Sequence, residues 1–320
     1  MAYLILLILV TLATFAVVST AAGAGIAAVW CWCRNRRLHL QASRILLLRL
    51  VPALLGVIAS ALTTAAFVRY EPREAVESPG PLLVSAASAA LCFGVIAALR
   101  VTRRLLTTAR FLRTLEPTAT GIAVPGVGLP AWRIESAFPL VAVVGVWRPR
   151  LLVARRVLDE IPADELQVVL EHELAHARRR DNLVQVALTC APDLLTVLDP
   201  RLGLTRAWEA AAEEAADDLA TRASEQARVS LASALVRVSR MAAGQAVSPI
   251  PLLAIHRGDA IERRVRRLLG PAEPSDAASP LWSALVATLL LSLVMASSLA
   301  GGAGLLYVHH AVEWLVNVPR

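Results

Sequence analysis

Residues Met1-Ala-Tyr-Leu-Ile-Leu-Leu-Ile-Leu-Val-Thr-Leu-Ala-Thr-Phe-Ala-Val-Val-Ser-Thr-Ala-Ala-Gly-Ala-Gly-Ile-Ala-Ala-Val-Trp-Cys-Trp-Cys33 contain no charged side chain. About 20 apolar residues suffice to cross a bilayer, so this stretch predicts a transmembrane helix. No basic residue precedes the apolar run, and Arg34, Arg36 and Arg37 follow it. That order favours an uncleaved anchor over a signal peptide. Working outward, the uncharged runs 50–68, 81–99 and 277–308 predict three more spans. Composition agrees: 57% of the 320 residues are apolar, 18% are charged, and the mean hydropathy is +0.60. These values exclude a disordered chain, a collagen, a secreted disulfide scaffold and an ordinary soluble domain.

The formal charge of +7 comes from arginine alone, because the chain has no lysine. Residues 34–49 carry five arginines and no acid, and Arg100, Arg103, Arg104, Arg110 and Arg113 follow the third run in the same way. Positively charged loops stay in the cytosol, so both segments are expected there. The 69–80 loop, with Glu71, Glu74 and Glu77, is then extracellular, as are the N-terminus and the 309–320 tail. Everything in 100–276 is expected to form one cytosolic domain. Arginines beside apolar runs set topology rather than follow a phosphate backbone, so direct nucleic-acid binding is not expected. Cys31, Cys33, Cys92 and Cys190 show neither a pairing pattern nor C-x-x-C spacing and read as packing residues.

Within the cytosolic segment, Pro117 to Pro130 reads as turns, and the runs 139–145 and 150–154 read as a strand pair. Helical periodicity follows from Pro162 to Asn182, from Ala207 to Ala223 and from Ala260 to Leu269. Leu183 to Pro192 is apolar, too short to cross, and bracketed by Asp181 and Asp193. It reads as a buried helix, with a dip into the membrane as the alternative.

The first cytosolic helix contains His172-Glu173-Leu174-Ala175-His176. Two histidines four apart on a helix share one face, so both imidazoles can reach a single zinc ion. Glu173 beside them can take a proton from a water that the zinc acidifies and pass it to the leaving amine of a peptide. Zinc needs a third protein ligand and an open position. Cys190 lies in an apolar run, which leaves the acidic helix Glu213-Glu214-Ala215-Ala216-Asp217-Asp218 as the better source. An E-x-x-x-D pair there puts a ligating carboxylate and a histidine-orienting one on the same face. Two registers satisfy this, Glu213 with Asp217 or Glu214 with Asp218, both flanking a stripe read as Trp208, Ala215 and Leu219. Helical geometry alone does not choose. Ala216 and Ala220 in the small positions favour the first.

With the segment Phe138 to Arg150, the run His172-Glu-Leu-Ala-His-Ala-Arg-Arg-Arg-Asp-Asn182 and the later Glu213-x-x-Ala-Asp217, the chain resembles the BlaR/MecR family of integral-membrane zinc metalloproteases. The resemblance implies a polytopic α-helical membrane protein of four transmembrane helices, with a cytosolic, mainly α (α+β) gluzincin-like protease domain in a bacterial cytoplasmic membrane. It implies one Zn2+ per chain on His172, His176 and Glu213, Glu173 as the catalytic base, Asp217 behind the ligands, and Arg179 and Asp181 as a structural ion pair or helix-end anchor. It also implies signal transduction by cleaving a cytosolic DNA-binding repressor of the winged-helix BlaI/MecI type. Membrane lipid is the other partner, and a homo-oligomer is compatible with the family.

The family's β-lactam sensors carry a penicillin-binding domain after the fourth span, whereas this sequence ends at Arg320, so covalent β-lactam binding is not expected. HtpX-like quality-control proteases share HExxH and a later E-x-x-A-D, and form the nearest rival. A non-catalytic receptor with a structural zinc is the rival of another class, and an intact Glu173 argues against it. By the HtpX pattern His256, upstream of Arg264-Val265, is a candidate transition-state stabiliser. The Arg263-Arg264 pair reads as a solvated helix face, with self-processing as the alternative. His309 and His310 read as interfacial.

Overall fold

The computed structural model describes residues 1–72, 79–115, 119–124, 128–136, 138–243, 258–271 and 304–310. The chain forms two compact units, one of Met1–Arg100, Leu188–Thr205 and Asp276–Arg320, the other of Val101–Ala187 and Arg206–Ser275.

In the first unit, α1 (Ala2–Asn35), α2 (Ala42–Tyr70) and α3 (Pro81–Leu115), which continues into the second unit, are each long and apolar enough to cross a membrane. A further pair, α6 (Asp181–Cys190), most of which belongs to the second unit, and α7 (Leu194–Leu202), is bent by 114° and has the composition of a broken span or a re-entrant loop. The expected fourth span, 277–308, lies almost wholly outside the described residues, although 304–310 are helical. Leu6, Val10 and Ala13 of α1 pack with Phe67 of α2 and with Leu83 and Ala87 of α3. Small residues let such helices approach closely. A Cβ at Gly56 would stand 2.9 Å from the Phe15 ring. Close approach brings Thr11 Oγ1 within 2.9 Å of Thr64 Oγ1 and lets Ser60 Oγ donate to the Thr11 carbonyl at 3.0 Å. Near the other end of α2, His309 is buried, its ring 5.8 Å from that of Tyr70 and its Nδ1 3.9 Å from Glu71.

The loop expected over 34–49 is much shorter, since Arg44 and Arg49 belong to α2 and are buried. A buried arginine needs a partner, and Arg49 has one. Its Nη1 donates to both carboxylate oxygens of Asp193, at 3.0 and 2.8 Å, while Nη2 donates to Thr196 Oγ1. Asp193 is also the N-cap of α7, accepting from the Thr196 N–H at 3.0 Å. Hydropathy treats each charge as solvated and cannot see a partner 144 residues away.

The second unit contains a four-stranded sheet in the order β1-β2-β4-β3, made of β1 (Thr120–Ile122), β2 (Ala131–Ile134), β3 (Val141–Val144) and β4 (Arg150–Ala154). β3 and β4 form the expected antiparallel hairpin, with Val141 opposite Val153 and Val143 opposite Leu151. Gly145 turns the chain at φ +97°, where a Cβ would lie 2.6 Å from the Arg148 carbonyl oxygen. The region expected to be irregular, 117–130, instead carries β1 and leads into β2, which runs parallel to β4. Short α4 (Arg155–Glu160) follows β4. The core is built from Ile134, Leu151, Val153, Ala154 and Val157, with Leu170 from α5 (Ala163–Arg179) and Met241 from α9 (Glu225–Ala242).

Pro162 is the N-cap of α5 rather than its first helical residue. Asp164 and Glu165 occupy the first turn, where the helix dipole favours them. Both also reach α9: Ser230 donates to Asp164, and Ser233 and Arg237 donate to Glu165. α5 stops short of the expected Asn182 because Arg180 adopts the left-handed conformation (φ 56°), and α6 begins at Asp181. α8 (Leu204–Ala220) and α10 (Gly258–Leu269) complete the unit.

Candidate metal centre

α5 presents His172 and His176 on one face, and α8 brings Glu213 to them. Their ligand atoms lie close together: His172 Nε2 to His176 Nε2 is 3.2 Å, and the two oxygens of Glu213 each face one histidine, Oε2 at 3.5 Å from His172 Nε2 and Oε1 at 3.5 Å from His176 Nε2. Tetrahedral zinc with ligands at about 2.05 Å requires ligand–ligand edges of about 3.3 Å. The spacings are of that size, and one atom from each residue lies within 4.8 Å of the others, so the three residues can hold a metal ion.

Each histidine has a carboxylate at its far nitrogen. His176 Nδ1 donates to Asp181 Oδ2 at 2.7 Å, which leaves the Nε2 lone pair facing His172 and Glu213. Asp217 Oδ1 stands 3.0 Å from His172 Nδ1, close enough to pair but off the N–H direction, so that buried nitrogen makes no aligned hydrogen bond. Burial opposes charge on His172, but Asp217 and Glu213 outweigh it and raise its pKa to about 9. Burial would also raise Glu213 and Asp217, yet His172 and Arg264 hold both carboxyls below their ordinary range. Glu173 goes the other way, pushed up by burial and pulled back in part by the two histidines. A carboxyl raised in this way is suited to taking up and releasing a proton.

Glu173 is steadied by the sheet. The Val143 N–H of edge strand β3 donates to Glu173 Oε2 at 3.0 Å. Asn182 Nδ2 fastens the same edge, donating to the Val143 and Gly145 carbonyls, both at 3.0 Å. A cavity of about 160 Å³ opens beside these groups, with Phe111, Leu140, Val169, Leu235 and Val238 among its apolar walls.

The BlaR1 peptidase M56 family model matches residues 81–268, which run from α3 to α10 and include every residue of the centre. The chain belongs to this family. No curated protein matches it.

In this M56 peptidase several placements differ from the sequence reading. The buried stripe of α8 is Trp208, Ala212 and Ala216, not Trp208, Ala215 and Leu219, and it turns Glu213 and Asp217 toward the histidines. Asp218 is on the exposed side, paired with Arg267 at 2.8 Å. Asp181 does pair with Arg179, at 3.2 Å, but its other oxygen holds His176, so it is more than a helix-end anchor. Arg264 is not on a solvated face. It is largely buried and donates to Glu213 and Asp217. The visible signal was an arginine in register with the apolar face Ile261, Val265 and Leu268 of α10. Asn182 carried no signal, because its partners are backbone carbonyls. His256 lies outside the described residues.

Proposed function

We propose that this M56 peptidase is a zinc-dependent endopeptidase using His172, His176 and Glu213 as metal ligands and Glu173 as its general base. The close set of two imidazoles and the Glu213 carboxylate, with spacings of 3.2 to 3.5 Å beside the half-buried Glu173, is the observation that carries this reading. When bound, zinc supplies a Lewis acid that acidifies water and polarises a peptide carbonyl. Glu173, kept in place by the Val143 N–H, accepts the proton of the attacking water and returns it to the departing amine. Asp181 keeps the His176 proton on Nδ1, and Asp217 performs the same service for His172 as the ring aligns with it.

The substrate we favour is a cytosolic protein, specifically a winged-helix DNA-binding repressor, cleaved in response to a signal at the bacterial cytoplasmic membrane. Arginine asymmetry around α1 and α3 supports a cytosolic protease domain. A reporter fused after Glu74 is expected to read as extracellular and one after Ala242 as cytosolic. An extracellular Ala242 fusion would reject a cytosolic substrate. For the chemistry, Glu173→Gln is expected to keep zinc and membrane insertion while abolishing proteolysis. Loss of zinc together with activity would make Glu173 a structural residue instead.

A further inference from the structure

We propose that Arg264 is the positioning residue for the metal's third ligand, holding Glu213 and Asp217 in one shared orientation through its guanidinium. The proposal rests on the zinc reading above and adds a residue to it. Nη1 donates to Glu213 Oε2 at 2.8 Å, Nη2 to Asp217 Oδ1 at 2.6 Å, and Nε to Asp217 Oδ2 at 2.9 Å. Glu213 and Asp217 are one helical turn apart on α8, so a single planar fork spans both. Arginine holds Glu213 Oε2, which also lies 3.5 Å from His172 Nε2, and leaves Oε1 facing His176 Nε2 at 3.5 Å. A carboxylate held at one oxygen cannot rotate freely when the group binds a metal.

Charge leads to the same assignment. Glu213 and Asp217 are two largely buried carboxylates one turn apart, and Arg264, itself largely buried, is the cation that pairs with both. Buried charge is tolerated only when it is paired. Three donors of the guanidinium are already engaged by carboxylates, which suits a fixed brace better than a group that must turn to a developing oxyanion.

The brace has a firm mount. Val265 and Leu268 of α10 pack with Leu231 and Ala232 of α9 and with Val168 and Val169 of α5. One turn beyond Arg264, Arg267 Nη2 donates to Asp218 Oδ2 at 2.8 Å on the exposed side of α8. α10 thus grips α8 twice, and only the inner grip touches the ligand. Arg267 therefore provides a matched control.

The test uses the full chain in detergent, stripped with a chelator and titrated with zinc against a chromophoric competitor. Cobalt(II) absorption in the same variants reports ligand geometry. Arg264→Met is expected to weaken zinc binding roughly 10- to 100-fold, the range for losing a partner of a metal ligand. Arg264→Lys is expected to fall between, because an ammonium is a point donor and cannot span both carboxylates. Arg267→Met is expected to stay within about twofold of wild type, since its charge is partly exposed and off the ligand. Wild-type affinity in Arg264→Met would overturn the proposal, as would an equal loss in Arg267→Met, which would assign the effect to helix docking. Should Arg264→Met fail to fold, Arg264→Lys decides, and unchanged affinity and cobalt spectrum there would overturn it. A wild-type chain that binds no zinc would sink the metal reading itself, a different result from any of these.

Discussion

Removing one partner of the Arg49–Asp193 pair should damage the protein more than removing both. Arg49 is 2% exposed and Asp193 is fully buried. Breaking such a pair from one side leaves an uncompensated buried charge, at a cost of about 3–5 kcal/mol. Arg49→Met leaves Asp193 with the Thr196 N–H and no cation at its carboxylate oxygens. Asp193→Leu strands Arg49 and also uncaps α7, which adds about 1 kcal/mol. In the double variant neither charge remains, and replacing a whole buried pair by apolar residues is close to neutral, so the loss should shrink to the cap and packing, about 1–3 kcal/mol. At about 2–4 °C per kcal/mol, Arg49→Met should unfold roughly 6–20 °C below wild type, Asp193→Leu roughly 8–24 °C and the double variant roughly 2–12 °C. Tryptophan fluorescence during thermal unfolding in micelles reads this directly, with seven tryptophans in the chain. Additive losses in the double variant, or single shifts under about 2 °C, would refute the reasoning that the two charges depend on each other inside an apolar setting.

Glu213→Ala should lose zinc while Glu214→Ala largely retains it, as measured by metal content of the purified variants; the opposite ranking would shift the ligand assignment by one residue. Asp181→Asn should weaken zinc binding about 10- to 100-fold through His176, and an unchanged affinity would return Asp181 to a purely structural role. Glu165, whose carboxyl Arg237 holds below its ordinary range, contributes stability above its unfolded pKa of about 4.3 and loses it as pH falls through the lower folded value. Glu165→Gln should therefore lower stability at pH 7 by about 1–3 kcal/mol, with the gap narrowing as pH falls below about 4, and a gap that stays constant on acidification would contradict that linkage.

What could be read from the sequence was local. α1 follows from one uncharged run, and the histidine pair of α5 follows from spacing along a single helix. The β3–β4 hairpin is equally local, since its turn and both strands are contiguous. Features that depend on distant partners escaped. Arg49 looked like a loop arginine because Asp193 is far along the chain, and Arg264 looked solvated because its carboxylates belong to α8. Small residues beside the carboxylates favoured the Glu213 register of α8, although the stripe drawn for it was rotated: alanine carries little hydropathic contrast, so Ala212 and Ala216 did not stand out from Ala215. β1 and β2 were missed because three- and four-residue strands between prolines and glycines have too little alternation to register.

The edge of the sheet bears on inhibitor design. Residues of an antiparallel strand point both backbone groups the same way, so Val141 and Val143 direct theirs away from β4. At Val143 both are engaged, by Glu173 and by the Asn182 amide. Among the described residues the open hydrogen-bonding position for an extended peptidomimetic along this edge is Val141, and one such pair contributes only about 1–3 kcal/mol. Backbone mimicry is therefore a poor source of potency for this enzyme. Tight compounds would draw their affinity from a metal-binding group and from the apolar wall of the cavity, or carry an acceptor that captures the Asn182 amide and frees the strand.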